Sequence, residues 1–252
     1  MSEPLGPFLA APARAAILID FDGTLAPIVD DPDQAAALPG TEEVLRRLVL
    51  RYRTVGVVSG RPVRYLQDRL GGLDGVHLAG LYGLERVVNG SVEVLPEAAR
   101  WESTVANVAA AAEAAAPAGV NVERKGLAVT LHVRLAPEHA GWITRFAGDQ
   151  AATTGLVVHR GRRSVELRPP VEADKGTVVD ELAEGCEAVC YLGDDLGDLP
   201  AFARLAEMRR AGRTTLAVAA ASAEAPPELL ARADLVVDGP AGALALLTAL
   251  AA

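Results

Sequence analysis

The sequence contains little lysine, few aromatic residues and an excess of negative charge. Only Lys125 and Lys175 occur among its 24 basic residues, the other 22 being arginine, and the formal net charge is −9. Nucleic acids and anionic membranes are bound by basic surfaces. The composition therefore argues against both kinds of partner and leaves small molecules as the expected ligands.

Long apolar runs and a cysteine framework are also missing. No run of about 18 apolar residues occurs, which argues against a membrane span. The first residues lack the cationic segment and apolar stretch of an export signal, so we expect a cytoplasmic protein. Cys186 and Cys190 lie four positions apart, a spacing that matches neither a zinc site nor a redox pair. We expect two reduced thiols without a chemical role.

Apolar strands alternate with amphipathic helices in both outer parts of the chain. The stretches AAILID, TVGVVSG and VHLAG predict strands, and TEEVLRRLVLRYR and RPVRYLQDRL predict the helices between them, with Thr41 as the first N-cap. The same alternation returns beyond DKGTVVDELAE. Strand, helix and strand in succession favour right-handed crossovers. We therefore expect an α/β core with a doubly wound, Rossmann-like parallel sheet.

The middle of the chain has a different pattern. LERVV and SVEVL flank Asn89 and Gly90, a strong hairpin signal. A helix over 97–116, a pair of strands, a helix over 137–152 and a second pair of strands follow. This pattern predicts a smaller α+β cap domain, 94–172, inserted into a discontinuous catalytic core of 1–93 and 173–252.

Polar residues follow three of the predicted parallel strands, and one lysine opens the helix that leads to the last of these. These residues are Asp20, Asp22, Ser59, Lys175, Asp194 and Asp195. Ligands of an open parallel sheet bind beyond the carboxyl ends of its strands. Crowded carboxylates repel one another unless a cation lies among them. Because carboxylates, water and phosphate are typical ligands of Mg²⁺, the sequence predicts a magnesium site here.

This set of residues resembles the haloacid-dehalogenase superfamily of phosphatases. The matching pieces are DFDGT at 20–24, Ser59, Lys175 within DKG, and GDDLGD at 193–198. The resemblance implies that Asp20 is the nucleophile, which forms an aspartyl-phosphate. It also implies that Asp22 protonates the leaving alcohol and then activates water.

The same resemblance implies the remaining ligands of the core. Lys175, with a catalytic role, is expected to hold phosphoryl oxygens, and the other phosphate-binding residues are Gly23, Thr24, Ser59 and Gly60. The metal ligands are the Asp20 carboxylate, the Asp22 carbonyl and Asp194, with Asp195 and Asp198 behind them.

Within that superfamily the chain resembles the trehalose-6-phosphate phosphatase family. The motifs are DFDGTLAPI with its trailing acidic stretch, SGRP, GLYGLE, VERKG, LHVR, VELRP and DKG. The resemblance implies a sugar-phosphate substrate and a role in trehalose biosynthesis. It also implies five substrate contacts, namely Arg61, Glu123, Lys125, Arg134 and Glu166.

Two positions depart from that family, and several interpretations stay open. Gly197 stands where the family has threonine, and Tyr82 where it has histidine. We expect Gly197 to serve as an acceptable N-cap for a helix at 198.

Two other functions stay open. The alternatives are a phosphatase for another sugar or glycosyl-glycerate phosphate and a noncatalytic partner of a trehalose synthase. A phosphomutase is disfavoured. The polar cap residues could also form a solvated sheet face. We expect a monomer.

Overall fold

The structure, a computed structural model, describes residues 3–29, 34–71, 73–161, 163–222 and 225–252. It divides into two compact units, 1–92 with 173–252, and 93–172. The acidic stretch after DFDGTLAPI falls largely outside the described residues. The assignment of catalytic and cap roles to the two units stays a prediction.

The strands are numbered in chain order. They are β1 (Ala15–Ile19), β2 (Thr54–Val58), β3 (Val76–Gly80), β4 (Glu85–Val88), β5 (Ser91–Val94), β6 (Asn121–Arg124), β7 (Val129–His132), β8 (Val157–Arg160), β9 (Ser164–Arg168), β10 (Ala188–Gly193), β11 (Thr214–Ala221) and β12 (Leu235–Asp238).

The α-helices follow the same numbering. They are α1 (Gly6–Ala10), α2 (Thr41–Val49), α3 (Val63–Leu70), α4 (Pro96–Ala99), α5 (Glu102–Ala115), α6 (Ala140–Thr154), α7 (Lys175–Leu182), α8 (Leu199–Arg210), α9 (Pro227–Leu230) and α10 (Gly239–Leu250).

The larger sheet has the strand order β12-β11-β10-β1-β2-β3-β4-β5. Pairing is parallel from β12 to β3, and β3 pairs with β4 in the antiparallel sense. Every residue of β1 is buried because apolar clusters cover both faces: Ile17 belongs to one cluster and Leu18 to the other. The predicted α/β fold with a parallel sheet is confirmed, and β1 is a central strand.

The smaller unit contains a four-stranded antiparallel sheet in the order β6-β7-β9-β8. Alternate residues of its strands point to opposite faces. Val129, Leu131, Val165 and Leu167 form a buried cluster with apolar residues of α5 and α6. The residues between them, such as Thr130 and Glu166, lie on the other face, which is polar.

Helix boundaries differ from the predictions, most clearly in three places. Gly40, with φ of 90°, is the N-cap of α2, and Thr41 is its first helical residue, so the predicted Thr41 cap is wrong. The alanine-rich helix is interrupted beside Trp101, which separates α4 from α5. Asp198, not Gly197, is the N-cap of α8. In all three cases local backbone geometry, which sequence periodicity does not report, sets the boundary.

Candidate active site

The end of the central strand places Asp20 beside Asp194. The Asp20 amide donates to the Leu192 carbonyl (2.9 Å), which continues the pairing of β1 with β10. The chain then turns at Gly23, where φ is 77°. A Cβ atom at that position would collide with the Asp194 carboxylate, so the turn needs glycine both for its conformation and for this approach.

Lys175 is fixed by the first turn of α7. Asp174 caps this helix and forms a capping box with Thr177. The buried Lys175 ammonium lies 2.8 Å from Asp20 Oδ1 and 2.7 Å from Asp198 Oδ1. Burial alone would lower the pKa of Lys175, but Asp198 and Asp20 outweigh burial and raise this pKa well above its usual value. Lys175 is therefore a permanent positive charge beside Asp20.

Asp198 connects four groups of the site and is fully buried. Its Oδ1 accepts from Lys175 Nζ and from the Tyr191 hydroxyl, both at 2.7 Å. Its Oδ2 accepts from the amides of Asp194 (2.9 Å) and Asp195 (3.1 Å). Sequence reasoning missed Tyr191, because a tyrosine inside the unbroken apolar run of β10 is typical of a core residue.

The residues present fit a divalent cation. Asp20, Asp194 and Asp198 each offer a carboxylate oxygen, and these atoms lie within 4.8 Å of one another. Among the described residues the buried Asp194 Oδ1 has no hydrogen-bond partner, whereas both oxygens of Asp198 are engaged. Burial raises the pKa values of Asp20 and Asp194, and Asp20 further raises that of Asp194. A cation bound to Asp20 and Asp194 would neutralise this repulsion.

The Asp22 side chain is held by Arg61. Arg61 Nε donates to Asp22 Oδ2 and Nη2 donates to Oδ1, both at 2.8 Å. The guanidinium carbon also lies 4.6 Å from the centre of the Tyr65 ring. Arg61, for which the resemblance implied a substrate contact, thus binds the Asp22 carboxylate here, and its planar fork fixes the direction of that carboxylate.

The groups expected to bind phosphate differ in what they can donate. Ser59 Oγ accepts from the Arg61 amide (3.1 Å), which leaves the Ser59 hydroxyl proton able to donate. The Gly23 amide donates to the Ala26 carbonyl (2.7 Å), so it is engaged within the turn. Thr24 is fully buried and, among the described residues, its hydroxyl has no partner. Ser59 and Lys175 are therefore the better placed anion donors.

The polar face of the smaller unit centres on Glu166. Glu166 Oε2 accepts from Lys125 Nζ (3.3 Å) and from the Thr130 hydroxyl (3.0 Å), and Oε1 accepts from Arg168 Nε (2.5 Å). Burial alone would raise the pKa of Glu166, but Lys125 and Arg168 outweigh burial and lower this pKa. Glu166 is therefore a charged group that orients its two cationic neighbours.

Glu123 extends this group along the sheet. Its Oε2 lies 3.5 Å from Lys125 Nζ and 2.8 Å from His132 Nε2. The structure thus brings Glu123, Lys125 and Glu166 together on one face. The apolar pattern that ends in LHVR predicts that Arg134 lies on the strand next to Glu123. Arg134 instead lies in a bend beyond the end of β7, so this prediction is wrong.

The two positions that depart from the family pattern are neighbours in the larger unit. A Cβ atom on Gly197 would lie 3.5 Å from Cε1 of Tyr82.

The arrangement of the strands defines the class of fold, which is that of haloacid-dehalogenase-like proteins. A protein of this kind from Bacteroides thetaiotaomicron has the same fold, with a TM-score of 0.62, 16% identity, and 94% of this chain and 99% of the other covered.

The chain belongs to the trehalose-phosphatase family, whose sequence profile matches residues 18–228. A trehalose-phosphate phosphatase of Mycobacterium marinum is 36% identical over 75% of this chain and 51% of its own length. The chain spans about half or less of the length of the curated relatives it matches first. The C-terminal domain of a Candida albicans trehalose-6-phosphate phosphatase shares the fold, with a TM-score of 0.77, 24% identity, and 97% of this chain and 94% of the other covered.

Proposed function

We propose that this protein hydrolyses trehalose 6-phosphate to trehalose and phosphate in a Mg²⁺-dependent reaction. The observation that carries the proposal is the buried contact of Lys175 with Asp20, next to an Asp194 oxygen that has no hydrogen-bond partner in the described part of the chain. A noncatalytic domain would have no need of three buried charged groups, whose burial costs free energy. Membership of the trehalose-phosphatase family supports the choice of substrate.

In this proposal Asp20 is the nucleophile. Its carboxylate attacks phosphorus, the bond from phosphorus to the sugar oxygen breaks, and the leaving oxygen takes a proton from Asp22. Asp22 then removes a proton from the water that hydrolyses the aspartyl-phosphate. Lys175 and the Ser59 hydroxyl hold phosphoryl oxygens during both steps, and Arg61 keeps the Asp22 carboxylate in position.

Asp20, Asp194 and the Asp22 carbonyl would hold Mg²⁺. When bound, the ion supplies positive charge that offsets the charge on the phosphoryl oxygens. Both oxygens of Asp198 are already engaged, so Asp198 is not assigned to the ion. Its role is to hold Lys175 and the amides of Asp194 and Asp195 in the acidic loop, 194–198, that follows β10. Asp195 accepts from the Gly197 amide (2.8 Å) and shapes the same loop.

We assign recognition of the sugar to the polar face of the smaller unit. Glu123 and Lys125 offer an acceptor and a donor side by side, and a sugar presents pairs of neighbouring hydroxyls. Glu166 keeps the Lys125 ammonium in place. Within the described ranges no helix has both the length and the apolar character needed to cross a bilayer. We further propose that the protein acts as a monomer in the cytoplasm on a small sugar phosphate.

Phosphate release from a panel of sugar phosphates tests the proposal. Trehalose 6-phosphate should be the best substrate, EDTA should stop release, and added Mg²⁺ should restore it. Asp20→Asn protein is the matched inactive control. Faster release from another sugar phosphate or a glycosyl-glycerate phosphate would change the assigned substrate. Release from none of them, by folded protein with Mg²⁺, would favour a noncatalytic partner of a trehalose synthase.

A further inference from the structure

A left-handed turn follows β3 in the larger unit. Leu81, Tyr82 and Gly83 have φ values of 49°, 60° and 101° in succession. Positive φ is uncommon for residues with bulky side chains, and two such residues in a row persist only where their surroundings hold them. Strained backbone of this kind concentrates at functional sites, so the contacts of this turn are informative.

Two backbone hydrogen bonds attach the turn to the loop after β2. The Leu81 amide donates to the Arg61 carbonyl and the Tyr82 amide donates to the Ser59 carbonyl, both at 2.9 Å. Leu81 is also buried, which anchors the turn in the core. The turn is therefore tied to the Ser59–Arg61 loop at two points.

The Tyr82 ring lies between two glycines that belong to different loops. A Cβ atom on Gly60 would lie 2.6 Å from the Tyr82 hydroxyl oxygen and 3.0 Å from Cε2. A Cβ atom on Gly197 would lie 3.5 Å from Cε1, the opposite edge of the ring. One edge of the phenol thus faces the loop that follows β2, and the other faces the acidic loop that follows β10.

We propose that Tyr82 is a positioning residue that sets the distance between these two loops. The inference rests on the proposed function, in which the loop after β2 holds the phosphoryl group and the acidic loop holds Asp194. Ser59 and Asp194 follow the strands on either side of β1, and both must stand at fixed distances from Asp20. A rigid aromatic ring between the loops fixes that separation, whereas a flexible side chain would let it vary.

Two substitutions of Tyr82 separate the ring from its hydroxyl. Tyr82→Phe keeps both edges of the ring, and Tyr82→Leu removes them. Titration calorimetry with inorganic phosphate and Mg²⁺ measures phosphate affinity without any turnover. We expect Tyr82→Phe to stay within about threefold of the native affinity. We expect Tyr82→Leu to lose roughly tenfold or more, because about that much affinity is lost with one hydrogen bond to the charged phosphate.

A double-mutant cycle tests the contact itself. Gly60→Ala should weaken phosphate binding strongly in the native background, since the new Cβ must displace the phenol. In Tyr82→Leu protein the same change should add little, because the atoms it would strike are gone. Gly148→Ala, at a helical glycine with nothing within 4 Å of the new Cβ, is the matched control and should leave affinity unchanged.

Three results would overturn the proposal: native phosphate affinity in folded Tyr82→Leu protein, equal damage from Tyr82→Phe and Tyr82→Leu, or additive effects of Gly60→Ala and Tyr82→Leu. The titration also separates this proposal from the proposed function. Protein that releases phosphate from no sugar phosphate, yet binds inorganic phosphate in a Tyr82-dependent way, would refute the reaction and support the role of Tyr82. If the native protein hydrolyses trehalose 6-phosphate and Tyr82→Leu protein keeps the native phosphate affinity, the reaction is supported and the role of Tyr82 is refuted.

Discussion

Replacement of Asp198 by asparagine should destabilise the larger unit far more than the same change at a surface ion pair. Asp198 is fully buried and accepts four hydrogen bonds, two at each oxygen. An asparagine amide has one oxygen, so its NH₂ group must face either Lys175 with Tyr191 or the two backbone amides. In both cases donors point at donors, and Lys175 loses half of its compensating charge.

The expected magnitude follows from that geometry. Breaking a buried ion pair by removing one partner costs about 3–5 kcal/mol. For 150–250 residues each 1 kcal/mol lowers Tm by about 2–4 °C, which gives a fall of roughly 6–20 °C. Asp180→Asn is the matched control, since Asp180 pairs with Arg204 at the surface with its side chain 49% exposed. Exposed pairs contribute only about 0–1 kcal/mol.

Differential scanning calorimetry and urea titration of both variants, followed at neutral pH, provide the measurement. If the Tm of Asp198→Asn protein falls no further than that of Asp180→Asn protein, the prediction is refuted. The four hydrogen bonds of Asp198 would then contribute no net stability. Tyr191→Phe should lie between the two, with a loss of about 1 kcal/mol, since it removes one donor and leaves the charges in place.

Three further outcomes test the chemistry and the smaller unit. Asp20→Asn should abolish turnover in protein that remains folded. A substantial residual rate in pure protein would reject Asp20 as the nucleophile. Asp22→Asn should slow the hydrolysis of sugar phosphates by about 10²–10⁴-fold and the hydrolysis of aryl phosphates much less, because aryl leaving groups need little protonation. Equal losses of rate on both substrates would count against Asp22 as the acid. The pKa of Glu166 lies below its ordinary value of 4.5, because its cationic neighbours outweigh burial. The charge of Glu166 therefore stabilises the fold above pH 4.5. This stabilisation is lost as the pH falls through the lowered pKa. The difference in unfolding midpoint between native and Glu166→Gln protein should therefore shrink below pH 4.5, and a difference that stays constant to pH 3 would contradict the assignment.

The sequence predicted the parallel sheet because its strands are buried on both faces and read as unbroken apolar runs, as in β1 and β10. It also predicted which residues follow those strands, since the carboxyl ends of parallel strands share one edge. Asp20, Ser59 and Asp194 were found in this way.

What the sequence could not predict depends on contacts between residues far apart in the chain. Arg61 reaches Asp22, and Tyr191 reaches Asp198, through rotamers that only the packed structure fixes. Gly40 caps α2 with a left-handed backbone, whereas Thr41 had the better capping side chain by propensity. The Tyr82 ring lies beside Gly60 and Gly197 and so brings three loops together, and no local pattern marks this.

The discontinuity of the larger unit affects how the protein is made on a ribosome. β1 is an early strand, but its neighbour β10 belongs to the segment synthesised after the whole smaller unit. The nascent chain must therefore carry an unpaired apolar strand edge while 93–172, a contiguous segment dominated by local pairings, emerges and folds first. Asp20 and Lys175, 2.8 Å apart in the finished protein, meet only after that delay. The proposed site is thus completed late in biosynthesis, and until then the edge of β1 that β10 will cover stays open to unwanted pairing.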